Sequence, residues 1–291
     1  MPQELQIPST WHDLDLAALR GVVMITGATD TGKSTLAQYL FQQLAEQGEQ
    51  VAFLDGDPGQ SQLGPPTTIN LALAKRGDST FPPKGANWRR FVGSTTPTGH
   101  MLPLVAGEKK LVVAGKQAGA ERIIHDTTGL IDPSAGGAHL KWSTIDLLGV
   151  KTVIGLAREE ELESLLKPLR QRTGMRVVEL APAEGVRRRG DEERRKHRAG
   201  MYRAYFRGAE DKSLDWSQLA VYPGPEFTSG RLMGLMNADD FCLGLAVVIS
   251  GEPETREIRV LTPVESFGSV DALHLADVSL DVRSYRDQLL H

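Results

Sequence analysis

Residues 22–44 read VVMITGATDTGKSTLAQYLFQQL, an apolar run, a glycine-rich turn and a run with helical patterning. Within it Gly27 to Thr35, GATDTGKST, fits the spacing G-x-x-x-x-G-K-[ST] of a phosphate-binding loop, and the strand before it and helix after it supply the setting that this chemistry needs. Gly27 and Gly32 let the chain curl until successive backbone N–H groups point at phosphate oxygens; Lys33 adds a point charge for the β and γ phosphates, and Ser34 a hydroxyl for Mg²⁺. The nucleotide-binding set read from this stretch is Gly27, Asp30, Thr31, Gly32, Lys33, Ser34 and Thr35, with ATP or GTP and Mg²⁺ as cofactors.

A second motif follows at VAFLDGDPGQ, residues 51–60. Four apolar residues without alternation predict a strand buried on both faces, which puts Asp55 at its carboxyl end, where ligands gather in open α/β sheets. A carboxylate there holds Mg²⁺ through water, so Asp55 joins Ser34 as a metal residue, and Asp57 two residues on accepts a proton from an attacking hydroxyl. Residue spacing alone leaves open which of the two is the base. Taken alone, Asp-Gly-Asp-Pro-Gly also reads as a plain tight turn.

The wider pattern resembles the polynucleotide 5′-hydroxyl kinase family, which includes the kinase-like subunit of the eukaryotic pre-mRNA cleavage complex and the kinases of ribosomal RNA processing. Family members carry a loop close to GPTDVGKST, then D-x-D-x-G-Q, matched here by Asp55, Asp57, Gly59 and Gln60. FGSTTP is matched by Val92 to Pro97 with Val for Phe, N-T-x-G-W by Asp126 to Leu130, and an arginine-rich helix closing on YF-x-G by Arg194 to Gly208. The resemblance runs from residue 22 to 208 and implies an NTP-dependent kinase acting on the 5′-hydroxyl ends of RNA or DNA. It departs at Leu130, where the family places a tryptophan that clamps bases; leucine offers no stacking face. The eukaryotic members also place a β domain before the kinase domain, whereas about twenty residues precede the first strand here, so the chain reads as a minimal version.

The resemblance also implies that an R-x-x-x-R helix lies over the triphosphate as a lid. Between Arg187 and Arg207 there are nine Lys or Arg against three acids, in a protein of net charge −4. Arg194 and Arg198 share a helical face, and either serves to neutralise the transferring phosphoryl group, Arg198 first. Arg187, Arg188 and Arg189 read as phosphate-backbone contacts. The catalytic set is therefore Lys33, Asp55, Asp57, Arg194 and Arg198, and Gln60, Thr67, Thr95, Thr127, Gly129 and Leu130 are expected near the acceptor. Thr95 and Thr127 serve equally well as helix caps, and for Thr67 the rigid turn Gly64-Pro65-Pro66-Thr67 is a sufficient explanation.

Strands are predicted near 21–26, 50–55, 89–93, 122–126, 151–156 and 175–180, with helices near 33–46, 99–117, 137–148 and 159–172 between them. That alternation predicts a doubly wound, mainly parallel α/β sheet. Short strand candidates after Leu219, separated by Gly, Pro, Asn and Asp, predict a small β-rich subdomain, with a division between residues 1–210, lid included, and 211–291.

Composition bounds the rest: 291 residues, 24% charged and 40% hydrophobic, are ordinary for a globular enzyme. One cysteine, Cys242, excludes an internal disulfide and a cysteine-cluster metal site. The three histidines His100, His125 and His139 have no metal-ligand spacing. With neither a signal-like leader nor a long apolar run, a cytoplasmic protein without membrane partners is expected; protein partners are not readable. Two other classes share the donor loop, a small-molecule kinase and a nucleotide-binding scaffold without turnover. Transfer of labelled γ-phosphate to an oligonucleotide separates them.

Overall fold

The computed structural model describes residues 7–183, 186–252 and 254–290, which form two compact units. The first comprises residues 1–57, 70–87 and 104–189. In chain order its elements and the strands that feed them are α1 (Ser9–His12), β1 (Gly21–Gly27), α2 (Lys33–Glu46), β2 (Val51–Gly56), β3 (Thr68–Leu73), β4 (Asn87–Phe91), α3 (Met101–Gln117), β5 (Arg122–Thr127), α4 (Gly137–Leu148), β6 (Thr152–Leu156), α5 (Glu163–Arg170) and β7 (Arg176–Leu180). The sheet runs β4-β3-β2-β5-β1-β6-β7. From β2 to β7 all pairings are parallel, and β3 turns back antiparallel on β2.

The apolar runs explain this layout. β2, β5 and β6 are buried along their whole length, as strands covered by helices on both faces must be. α2 turns Leu36, Leu40, Phe41 and Leu44 inward, and Phe41 meets Phe53 of β2 edge to face at 6.1 Å. The consequence for chemistry is that β1, β2 and β5, side by side and parallel, bring their carboxyl ends to one edge.

The second unit comprises residues 58–69, 88–103 and 190–291. It adds α6 (Asp191–Tyr205), β8 (Glu210–Asp215), β9 (Ala220–Tyr222), β10 (Arg231–Met236), β11 (Cys242–Glu252), β12 (Glu257–Thr262), β13 (Ala272–Leu280) and β14 (Asp287–Leu289). These strands form a sheet of order β14-β13-β10-β11-β12-β8, with β9 beside β13. Alternation along β10 sends Leu232 and Met236 to one face and Met233 and Leu235 to the other, and both faces are buried.

Two expectations need correction. The β-rich part does not begin at 211: α6 belongs to the second unit, because Tyr202 and Phe206 are buried in the core that Leu232, Leu245, Val247 and Val278 form. The chain also contributes residues 58–69 and 88–103 to that unit, so a single cut in sequence does not separate the two. Strands β3, β8, β10 and β14 were not anticipated; TINLAL of β3 follows Gly64-Pro65-Pro66, which reads as loop. No helix among the described residues is long and apolar enough to cross a membrane.

Candidate active site

The phosphate loop joins β1 to α2 within the first unit. A Cβ at Gly27 would lie 2.4 Å from the Leu156 carbonyl oxygen of β6, so only glycine fits where the loop leaves the sheet. Gly32, at φ 92°, precedes the first turn of α2 and caps it with no side chain, which leaves the N–H groups of that turn turned to the loop. Thr31 donates its hydroxyl to the Ala28 carbonyl at 3.0 Å, and Lys33 donates its ammonium to the same oxygen at 2.6 Å. Lys33 is 7% exposed. Burial lowers its pKa, opposed by the nearby charges of Asp126, Asp57, Asp30 and Glu161. The ammonium is therefore held over the loop by a short, charge-assisted bond to a loop carbonyl.

Next to it lie the carboxylates. Asp55 of β2 and Asp126 of β5 are register partners on neighbouring parallel strands, and Asp126 also pairs with Ile25 of β1. Both aspartates are buried. Asp126 has its carboxyl pKa raised by burial, against the hydroxyl that Ser34 donates to it and the positive charge of Lys33. Asp57, two residues past Asp55, is half-buried, and its charge acts on both Lys33 and Asp126. Four side chains with oxygens of the hard type that Mg²⁺ prefers, those of Ser34, Asp55, Asp57 and Asp126, thus meet the phosphate loop. Among the described residues no group of three or more His, Cys, Asp or Glu forms a cage of its own, and water and phosphate oxygens are what complete an Mg²⁺ shell in such a site.

Thr127 closes β5. Its hydroxyl donates to the Ile25 carbonyl at 2.7 Å and accepts from the Lys141 ammonium at 2.8 Å; Lys141 also donates to the Thr128 carbonyl at 2.6 Å. Lys141 is 1% exposed, and desolvation is the main reason that its pKa falls to about 7. Behind this lies a buried pair, His125 Nε2 to Glu108 Oε1 at 3.0 Å, with Thr144 donating to the other Glu108 oxygen at 3.2 Å. Gly129 brings the turn after β5 against the phosphate loop: a Cβ there would meet the Thr29 backbone nitrogen at 2.8 Å. Leu130 follows, half-buried, its N–H donating to the Thr128 hydroxyl.

The structure therefore brings Lys33, Ser34, Asp55, Asp57, Thr127, Gly129 and Leu130 to one edge of the first unit. Thr127 is committed to backbone and to Lys141, which makes it a brace. Thr35 is half-buried on the first turn of α2. Gln60, Thr67, Thr95, Arg194 and Arg198 lie in the second unit. There Gln60 donates to the Gly59 carbonyl at 2.7 Å and Thr67, at φ 72°, is buried with its hydroxyl on the Pro66 carbonyl. Thr95 is half-buried beside Ser94. Arg194 pairs with Asp191 at 2.9 Å. Arg198 grips Asp287 with Nε and a terminal nitrogen, each at 3.0 Å, and Asp287 is 4% exposed; in this conformation Arg198 is a structural anchor between α6 and β14.

Asp126, Lys141 and Arg158, whose guanidinium donates to the Asp30 carbonyl of the phosphate loop, are not among the sequence-derived site residues. Asp126 sits at the end of an apolar strand just as Asp55 does; only the sheet order, which places β5 between β1 and β2, singles it out. A lysine and an arginine at unremarkable surface-type positions carry no sequence signal of burial.

A strand-loop-helix phosphate site with acidic residues on the adjacent strand ends defines a nucleotide-binding protein of the phosphate-loop class. Comparison with known families narrows this: residues 27–208 match the family described as mRNA cleavage and polyadenylation factor CLP1 P-loop, and the chain belongs to it. The chain is similar to the polyribonucleotide 5′-hydroxyl-kinase of Methanocaldococcus jannaschii, 26% identical over 83% of this chain and 81% of the relative. It is likewise similar to that of Pyrococcus furiosus, 28% identical over 85% and 84%. The kinase of that name in Thermococcus kodakarensis is 33% identical over 68% of this chain and 55% of its own length. The fold is also that of the Clp1p chain in the Clp1p–Pcf11p complex, with a TM-score of 0.66 at 17% identity, covering 88% of this chain and 74% of that one.

Proposed function

We propose that this protein is a polynucleotide 5′-hydroxyl kinase that moves the γ-phosphate of ATP or GTP to the 5′-hydroxyl end of RNA or DNA. The observation that carries the reading is the meeting of Lys33, Ser34, Asp55, Asp57 and Asp126 at one sheet edge in a chain whose relatives are named polyribonucleotide 5′-hydroxyl-kinases. The loop amides and Lys33 hold the β and γ phosphates. Ser34, Asp55 and Asp126 are the residues that would hold Mg²⁺, which when bound neutralises charge on the phosphate oxygens. Asp57, the most open of the three aspartates, is placed to take the proton from the attacking 5′-hydroxyl.

Lys141 and Thr127 keep the end of β5 registered against β1, so the donor and the carboxylates do not need to reorganise as charge moves. The acceptor is expected to be gripped through its backbone more than its bases, since Leu130 has no stacking face. The test is transfer of labelled γ-phosphate to matched 5′-hydroxyl RNA and DNA oligonucleotides. A protein that binds ATP yet labels only small nucleosides would instead be the small-molecule kinase that Leu130 leaves conceivable.

A further inference from the structure

Phosphate loops work by collecting positive potential, yet this one has an aspartate in its middle. Asp30 sits at φ 55°, with its side chain 4% exposed, and its charge acts on Lys33. Left alone, that carboxylate would oppose an incoming triphosphate. Both its oxygens are instead taken by Arg189: the Arg189 backbone N–H donates to Oδ2 at 2.9 Å and Nε to Oδ1 at 2.8 Å. From the other side Arg158 donates to the Asp30 carbonyl, while its own backbone N–H is held by Glu161 at 2.8 Å. The backbone and the carboxylate of one loop residue are thus each fixed by a guanidinium, one from the segment after β6 and one from the segment after β7. On the carboxylate the grip is one guanidinium nitrogen and one backbone N–H, so what the Arg189 side chain supplies there is a fixed positive charge.

We propose that Arg189 is a positioning residue for the nucleoside triphosphate, cancelling the Asp30 charge inside the phosphate loop and fixing that loop in its binding shape. This rests on the reading of the loop as the triphosphate site and revises the sequence expectation that Arg189 touches the polynucleotide. Its neighbours Arg187 and Arg188 are exposed and stay with that expectation.

The test compares the wild-type chain with Arg189→Ala, Asp30→Asn and the double variant. Equilibrium binding of Mg·ATP is measured alongside the nucleotide and oligonucleotide KM values. Arg189→Ala is expected to weaken ATP binding about tenfold, the scale of one lost close charge pair, and to leave the oligonucleotide KM unchanged. Adding Asp30→Asn to Arg189→Ala should restore most of the loss, because no charge then remains to cancel, and Asp30→Asn alone serves as the reference for that double variant. Arg189→Lys, which keeps the charge should the alanine variant fold poorly, should stay within about threefold of wild type. Unchanged ATP binding in Arg189→Ala, a rise confined to the oligonucleotide KM, or a double variant as weak as Arg189→Ala alone each overturns the proposal. Absence of ATP binding by the wild-type chain would instead overturn the underlying site reading, and this inference with it.

Discussion

Lys33 donates to a loop carbonyl at 2.6 Å and is buried near the charges of Asp126, Asp57 and Asp30, and in the proposed reading that ammonium serves the β and γ phosphates. Lys33→Ala should therefore abolish transfer in a folded protein, a loss of roughly 10²-fold or more, read as labelled product per enzyme. The aspartates should separate by kinetics. Asp57→Asn is expected to leave the nucleotide KM nearly unchanged while kcat falls about 10²-fold, since a general base acts only on the chemical step. Asp126→Asn should raise the Mg²⁺ concentration needed for half-maximal rate, because Ser34 donates its hydroxyl to Asp126 at the position proposed for the metal. If Asp57→Asn changes only the Mg²⁺ requirement, it is a metal residue and Asp55 inherits the proton. Lys141 gives a stability test. Its pKa in the folded protein is about 7, lowered from 10.5, so between those values the unfolded chain binds more protons and stability rises with pH. The stability of wild type relative to Lys141→Met should increase from pH 7 toward pH 10; a flat difference would mean that the lysine is charged in the fold throughout.

At the scale of elements, the turn Thr128-Gly129-Leu130 is where we propose that the acceptor is bound. Gly129→Ala would place a methyl group 2.5 Å from the Thr29 Cγ2 and 2.8 Å from its backbone nitrogen, so the turn must lift off the phosphate loop. Leu130→Trp restores a stacking face and should lower the oligonucleotide KM severalfold, within the roughly 1–3 kcal/mol that base stacking supplies, with the ATP KM unchanged. Much of this was legible. The glycine spacing of the loop, the unbroken apolar runs of β1, β2, β5 and β6, and Asp55 at a strand end all follow from local pattern, because a phosphate loop is a local device. Asp126 and Lys141 were not legible as partners: what unites them with Ser34 and Thr127 is strand order and register, which are long-range. β3 was hidden behind two prolines, and α6 reads as a charged lid although Tyr202 and Phe206, spaced at i and i+4, bury it in the β-rich unit. The phenol of Tyr202 loses so much hydration there that its pKa lies far above the ordinary tyrosine value.

For the whole molecule, net charge −4 means that a polyanion must be met by a local patch rather than by the overall field. Among the described residues, Arg187, Arg188, Arg195 and Lys196 are exposed in the basic segment, whereas Arg189 and Arg198 are occupied by Asp30 and Asp287. If several of the exposed cations touch phosphates, the oligonucleotide KM should rise on the order of tenfold between about 50 and 200 mM salt, through counterion uptake, while the ATP KM moves little. The central claim is that this chain phosphorylates polynucleotide 5′ ends. It is tested most directly by incubating the full chain with γ-labelled ATP or GTP, Mg²⁺ and matched RNA and DNA oligonucleotides bearing a 5′-hydroxyl. The account predicts label on the 5′ end, absent when that end is already phosphorylated and absent with Lys33→Ala. Nucleotide bound or hydrolysed with no label reaching any 5′-hydroxyl end would contradict it.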